Sequence, residues 1–400
     1  MNSDILREVG LRSYGISMPS FFRMTSPLPE VSEDRLRVFA SHGMSEITAR
    51  QVTKVVTENL VLMKELGVPQ QYVEKYMRTT GNLPRDLFCA LNCESPTGLD
   101  VIIQCDNCHV GKGTFMTYVK ALEYFSLTTY ATSTTDEESG SNLANVHKLV
   151  EKSPHIVRLH YVHTFPFRNK MALWFEYLEL GDLEEWRASG KPLSERDVQH
   201  ISLDVASALV DLHNHRVIQK DLKPPNVLLY YDEGGHLRAK LADLGLAEAS
   251  EGYEPSGSPR GLPPEFWALY PQSDFVKYHV LDSYKVEIWA FGDLVHWLLK
   301  NDYFIPDDRL GEIVRESNEK GIPCFQGLKL EFEWHVRYPE VNSTEPESLD
   351  KLMRQMLQEH PEDRPQSMNV IRSRIAKIIK NPLPVKGSVA EMRDRFELLS

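Results

Sequence analysis

Residues 217–245 read VIQKDLKPPNVLLYYDEGGHLRAKLADLG, and the fold is decided by how this stretch is read. Asp221, Lys223 and Asn226 lie close together around two prolines, so a carboxylate, an ammonium and an amide share one tight loop. The runs VLLYY and LRAKLA, separated by DEGGH, have the pattern of a β-hairpin. That hairpin sets a second carboxylate, Asp243, before Gly245 on its far side. Two carboxylates, an amide oxygen and a lysine are parts for handling a metal-bound phosphate.

Composition bounds what the loop can belong to. The chain has 400 residues, 42% hydrophobic and 26% charged, enough for a large core in two or three packing units. Its formal net charge of -12 argues against nucleic acid or anionic membrane as partners, since both reward clustered Lys and Arg. No apolar run reaches the length of a membrane span, and MNSDILREVG lacks a basic-then-apolar leader, so the expected setting is intracellular and cytoplasmic, with delivery into another cell left open. Five cysteines fit reduced thiols better than a disulfide framework. Cys89, Cys93, Cys105 and Cys108 with His109 could surround a zinc ion, but VIIQCDNCHV reads as a strand and the first pair is loosely spaced.

Taken in order, the first hundred residues read as mostly helical, with a Pro- and Ser-rich arm before a helix over 45–66 and a shorter one over 70–77. These form an expected extension over 1–98 that caps the next domain or receives a protein partner. Residues 99–132 read as three strands, the first turn being VGKGTF, in which Gly111 and Gly113 permit close approach of backbone to phosphate. STTDEESGSN reads as a linker and Leu143 to Lys152 as a helix. IVRLHYVHTF and MALWFEYLEL form an antiparallel pair. From LEEW onward the apolar spacing becomes helical, most clearly over Glu195 to Asn214. The expected fold is α+β and bilobal: a small strand-rich lobe (99–178), a larger helical lobe (179–380) and a tail (381–400).

At this point the chain resembles the eukaryotic-type protein kinase family. KDLKPPNVLL is similar to the family's catalytic loop and LADLGLA to its DFG segment; GSPRGLPPE, EIWAFG and HPEDRP resemble the later motifs in the family's order. Upstream, VGKGTFMTYVKA resembles the glycine-rich loop and LWFEYLELGDL the hinge. The resemblance implies ATP and Mg²⁺ as cofactors and a protein Ser/Thr hydroxyl as acceptor. It implies Asp221 as the base, Lys223 beside the transferred group, and Asn226 and Asp243 as Mg²⁺ ligands. Glu176 and Leu178 would meet adenine, with Phe175 behind it and Asp182 near the ribose. Glu265 and Arg364 would pair inside the helical lobe.

The departures from the pattern lie mostly in the first lobe. Met116 stands at the third glycine, Thr128 at the position of the usual third-strand lysine, and Asn145 at that of its glutamate partner. Gly111, Gly113 and Lys120 are the remaining phosphate-side candidates. A shifted register would make Lys120 the clamp but leaves too few residues after Gly113 for two strands and a turn. Lys120, like Lys112, is otherwise a substitute of the kind used by the with-no-lysine kinases, and strand alternation sets it on the nucleotide face but farther from the phosphates. Gln219 and Lys220 replace the usual His and Arg, Leu244 a Phe, Glu287 an Asp, and Gly261 an aromatic residue. Ser250, Tyr253 and Ser256 offer hydroxyls to a phosphorylation switch. Two readings stay open: an active Ser/Thr kinase, favoured by the intact second-lobe residues, and a pseudokinase acting as a nucleotide-binding or scaffolding module.

Overall fold

The computed structural model describes residues 30–55, 87–92, 100–112, 117–124, 126–165, 169–249, 261–269, 281–322, 324–334 and 336–381. The shorter helix expected over 70–77, and Cys93, Gly113, Met116 and 250–260 with their candidate phosphorylation sites, lie outside these, as does the tail beyond 381. The chain divides into two compact units, one of 1–144 with 158–177 and one of 145–157 with 178–400.

The first unit is built on a six-stranded antiparallel sheet in the order β1-β2-β3-β4-β6-β5. Its strands are β1 (Leu87–Asn92), β2 (Asp100–Lys112), β3 (Thr117–Glu123), β4 (Thr129–Asp136), β5 (Leu159–Phe165) and β6 (Lys170–Glu176). The three expected strands and the expected antiparallel pair are therefore present. The strand β1 is an addition, in a region whose sequence reads as helical; it pairs with β2, Cys89 opposite Ile103. The cysteines 89, 105 and 108 thus lie on strands, and among the described residues no cluster of three or more His, Cys, Asp or Glu could hold a metal. One face of the sheet packs Ala121, Tyr130, Ala172 and Trp174 with Tyr161.

Two helices precede the sheet, α1 (Glu33–Ser41) and α2 (Glu46–Val55). Ser32 caps the first through its side chain, which accepts from Arg35 N–H, and Phe39 is buried against Tyr124. The helix α3 (Glu137–Leu149) begins six residues before the expected Leu143. Its start is set by Asp136, whose carboxylate accepts from Ser139 N–H at 2.8 Å and overrides the weak helix preference of Ser and Gly in ESGS. Gly140 lets the start of α3 lie on the sheet, since a Cβ there would fall 2.8 Å from Met171 Sδ.

The second unit is mainly helical. It contains α4 (Leu183–Ala188), α5 (Glu195–Asn214), α6 (Pro264–Leu269), α7 (Ser283–Lys300), α8 (Asp307–Glu319), α9 (Cys324–Trp334), α10 (Leu349–Met356) and α11 (Met368–Lys380). Short pairs are formed by β7 (Val217–Ile218) with β10 (Glu248–Ala249) and by β8 (Val227–Tyr231) with β9 (Leu237–Leu241). The helix α5 starts with a capping box between Ser194 and Asp197 and buries Val198, Ile201, Val205, Leu209 and Leu212, the stripe its sequence presents. Asp204, on the same helix, takes the Arg238 guanidinium and Ala239 N–H, and so fixes β9 to α5.

Helices α7 and α10 meet where Gly292 faces Met356, and a Cβ at 292 would fall 2.9 Å from Met356 Cβ. Alanine is the better helix former by about 1 kcal/mol, but overpacking costs about 1–3 kcal/mol. Gly292→Ala is therefore expected to lower the melting temperature in a thermal scan; a rise would show that the helices separate freely.

Candidate active site

The loop after α5 is organised by one buried carboxylate. Glu287 on α7 accepts from Gln219 N–H at 2.6 Å, from Lys220 N–H at 3.4 Å and pairs with His213 Nε2 at 2.5 Å. The longer side chain of Glu, compared with Asp, still anchors the loop from beneath. Above it Gln219 is fully buried and uses both ends of its amide: Oε1 accepts from Asp221 N–H at 2.8 Å and Nε2 donates to the Asp243 carbonyl at 3.3 Å. An amide holds a donor and an acceptor at once, so a single side chain joins the two carboxylate-bearing segments. Sequence reasoning treated Gln219 as a mild departure and missed this role; the signal was a polar residue in an otherwise apolar run, VIQ.

Asp221 is 3% exposed. Its Oδ2 takes Lys223 Nζ at 2.6 Å and Asn226 Nδ2 at 3.2 Å, while its carbonyl takes Asn226 Nδ2 at 2.8 Å. Pro224 and Pro225 open the 3₁₀ turn Pro224–Asn226 that brings the asparagine back. Because Asn226 donates through Nδ2, its Oδ1 is the side-chain oxygen that a hard cation would take. The Asn226 carbonyl accepts from Ala242 N–H at 2.8 Å, which brings the chain just before Asp243 against the loop. Asp243 is half-buried, and its Oδ1 accepts from Gly245 N–H at 3.3 Å. Lys220 and Asp243 both take left-handed backbone conformations, with φ of 71° and 51°. Asp221, Lys223, Asn226 and Asp243, predicted together, are thus brought together. One amide oxygen and one carboxylate make too few ligands for an all-protein metal cage, but they suit Mg²⁺, which keeps water and phosphate oxygens in its shell.

In the first unit, Lys120 opposes Ala131 and Ala131 opposes Phe175, so these three form one row across β3, β4 and β6. Phe175 is 5% exposed and meets the Tyr118 ring edge-on at 5.8 Å. Gly111 lies at the irregular end of β2, opposite Tyr118. Glu176 N–H donates to the Arg158 carbonyl at 2.9 Å, and its carboxylate accepts from Arg158 N–H at 2.6 Å. Thr128 precedes β4 and its carbonyl closes the β3–β4 turn by accepting from Glu123 N–H. The residue that shares a face with Ala131, two positions on, is Ser133, buried and with its Oγ unpaired. The placement of Thr128 on the third strand is therefore corrected: strand pairing starts one residue later, and β4 (TYATSTTD) contains no lysine at all. Asn145 is exposed on α3.

Lys120 is engaged within its own unit. Its Nζ donates to the Ser41 carbonyl at 3.4 Å and lies 4.9 Å from the centre of the Tyr177 ring. In the second unit Leu178 is half-buried, and its carbonyl accepts from Gly181 N–H at 3.4 Å. Asp182 caps α4, accepting from Glu185 N–H at 2.8 Å. Burial pushes its carboxyl up to about 6, against the pull of the Glu185 N–H. The expected ion pair between Glu265 and Arg364 is present, bidentate at 2.7 and 2.6 Å, with Arg364 fully enclosed.

Comparison with known proteins follows the same outline. The family model for the protein kinase domain matches residues 106–375. The chain is 31% identical over 150 residues to the serine/threonine-protein kinase DCLK1 of Rattus norvegicus, covering 37% of this chain and 32% of that protein. It is 31% identical over 146 residues to the NUAK family SNF1-like kinase 2 of Pongo abelii, covering 36% of this chain and 22% of that one. The aligned stretches thus span about a third or less of these relatives' own lengths. Among the described residues no helix is long and apolar enough to cross a membrane.

Proposed function

We propose, from the premise that this chain belongs to the protein kinase family, that it transfers the γ-phosphoryl group of ATP to a Ser or Thr hydroxyl of a protein. The observation that carries the proposal is the Asp221, Lys223 and Asn226 cluster, tied through Ala242 to Asp243. In this reading Asp221 orients the acceptor hydroxyl and takes its proton, because it is the loop's enclosed carboxylate. Lys223 is already at Asp221 Oδ2 and can shift its charge to the transferred group as the proton arrives. Asn226 Oδ1 and the Asp243 carboxylate would hold Mg²⁺, which when bound neutralises phosphate charge. Glu176 and Leu178 would supply main-chain groups for adenine, and Gly111 is a phosphate-side candidate.

The absence of a lysine from β4 favours a second reading, a pseudokinase that binds nucleotide without transfer. Transfer of labelled γ-phosphate to a generic basic protein substrate separates the two. Label transfer by the wild-type chain is the expected result; none above a no-enzyme blank would leave only the binding module. Asp243→Asn is expected to abolish the Mg²⁺-dependent part of the melting-temperature rise with ATP; ligand at a hundredfold excess over Kd stabilises a protein by about 2.7 kcal/mol in all. A rise equal to the wild type's would remove Asp243 from the metal site.

A further inference from the structure

The first unit contains a chain of contacts that runs from the N-terminal helices to the segment read as meeting adenine. The last carbonyls of a helix have no intrahelical donors and carry partial negative charge. At the end of α1 the Ser41 carbonyl meets the Lys120 ammonium at 3.4 Å. His42, 3% exposed, holds this helix end in place. Its Nδ1 lies 2.8 Å from the Val38 carbonyl, which can only accept, so Nδ1 carries the proton and Nε2 faces Thr129 Oγ1 at 3.3 Å as the acceptor. Burial holds the His42 pKa below its ordinary value, against the Val38 carbonyl and with the Lys120 charge acting in the same direction as burial. Arg35 adds a second link, donating to the Tyr124 carbonyl at 2.8 Å with its guanidinium 4.4 Å over the Tyr124 ring. The helix is therefore fixed to both β3 and β4 at their shared turn.

Lys120 reaches further. Its ammonium lies 4.9 Å over the ring of Tyr177, the residue between Glu176 and Leu178. We propose that α1 is a positioning element for nucleotide binding: Ser41 holds Lys120, Lys120 holds the Tyr177 ring, and the fixed ring orders the main chain from Glu176 to Leu178 for an adenine nucleoside. The inference rests on the reading that this segment meets adenine. It gives Lys120 a role distinct from contact with phosphate, because the same ammonium is engaged by a carbonyl and a ring at this end of the strand row.

The two roles make opposite demands on a ligand without phosphates. The full chain and its variants Lys120→Met, Tyr177→Leu and Tyr177→Phe are titrated calorimetrically with adenosine and, separately, with ATP and Mg²⁺. A positioning role predicts that Lys120→Met and Tyr177→Leu weaken both ligands by the same factor, about two- to fivefold, the range of a cation held over an aromatic ring. Tyr177→Phe, which keeps the ring face, should bind like the wild type, and the double variant Lys120→Met with Tyr177→Leu should be no weaker than either single one. Loss of ATP affinity with adenosine affinity intact would overturn the proposal and put Lys120 on the phosphates; so would unchanged affinities, or a Tyr177→Phe as weak as Tyr177→Leu. Should Lys120→Met fold poorly, the two Tyr177 variants make the same comparison. A wild-type chain that binds neither ligand refutes the nucleotide reading itself, whereas wild-type binding with unaltered variants refutes only the role of α1.

Discussion

Asp221→Asn is expected to reduce the rate of phosphoryl transfer by about 10²–10⁴-fold, the usual contribution of a positioned general base. The substitution conserves volume, so the effect is chemical and local. Asp221 Oδ2 now accepts from both Lys223 Nζ and Asn226 Nδ2. An asparagine has one acceptor oxygen, and its NH₂ group must face some of the donors that the carboxylate satisfied. Lys223 then loses its counter-charge, while Asn226 keeps its register through its bond to the Asp221 main-chain carbonyl. Steady-state kinetics with a protein acceptor should show the loss in kcat, with the KM for ATP changed far less. A variant with more than a tenth of wild-type kcat would take Asp221 out of the reacting centre.

The second large effect is structural. Arg364→Ala is expected to destabilise the second unit by about 3–5 kcal/mol, as removal of one partner from a buried pair does. Every N–H of this guanidinium is used: Nε on the Gln358 carbonyl, Nη1 on Glu265 and the Lys285 carbonyl, Nη2 on Glu265 and the Glu359 carbonyl. Truncation strands a carboxylate and takes a donor from three main-chain carbonyls, and it removes the cation 5.0 Å over the Trp289 ring. Lysine has only three donors and no fork, so Arg364→Lys should recover a minority of the loss. Urea unfolding followed by tryptophan fluorescence measures both; a midpoint within error of the wild type for Arg364→Ala would contradict the argument.

What the sequence made legible was what local spacing determines. The catalytic loop could be read because Asp221, Lys223 and Asn226 are close neighbours joined by a proline-opened turn. Helix α5 could be read because one apolar stripe extends from Val198 to Leu212. The Glu265 and Arg364 pair is distant in sequence and was legible only through the family resemblance. The first unit was harder because its register is set by partners far along the chain. Whether Thr128 or Ser133 occupies the inward position depends on Ala131 lying opposite Phe175, a pairing across 44 residues that no local pattern encodes. The start of α3 depended on one side chain, that of Asp136, and β1 depended on the presence of β2 to pair with. Gln219 was overlooked because its value lies in joining two segments that become neighbours only after folding.

The left-handed residues Lys220 and Asp243 bear on how this protein would respond to selection in the laboratory. Each non-glycine residue held at positive φ costs of order 1–3 kcal/mol, which glycine would largely avoid. A library screened for heat resistance alone would therefore accept glycine at both positions; at 220 the main-chain N–H to Glu287 would survive, whereas at 243 the carboxylate proposed to hold Mg²⁺ would be lost. A library screened for transfer is expected to keep Asp243. On the proposed reading, the strain at Asp243 sets activity against durability, and a comparison of the two libraries would show it without any knowledge of the substrate.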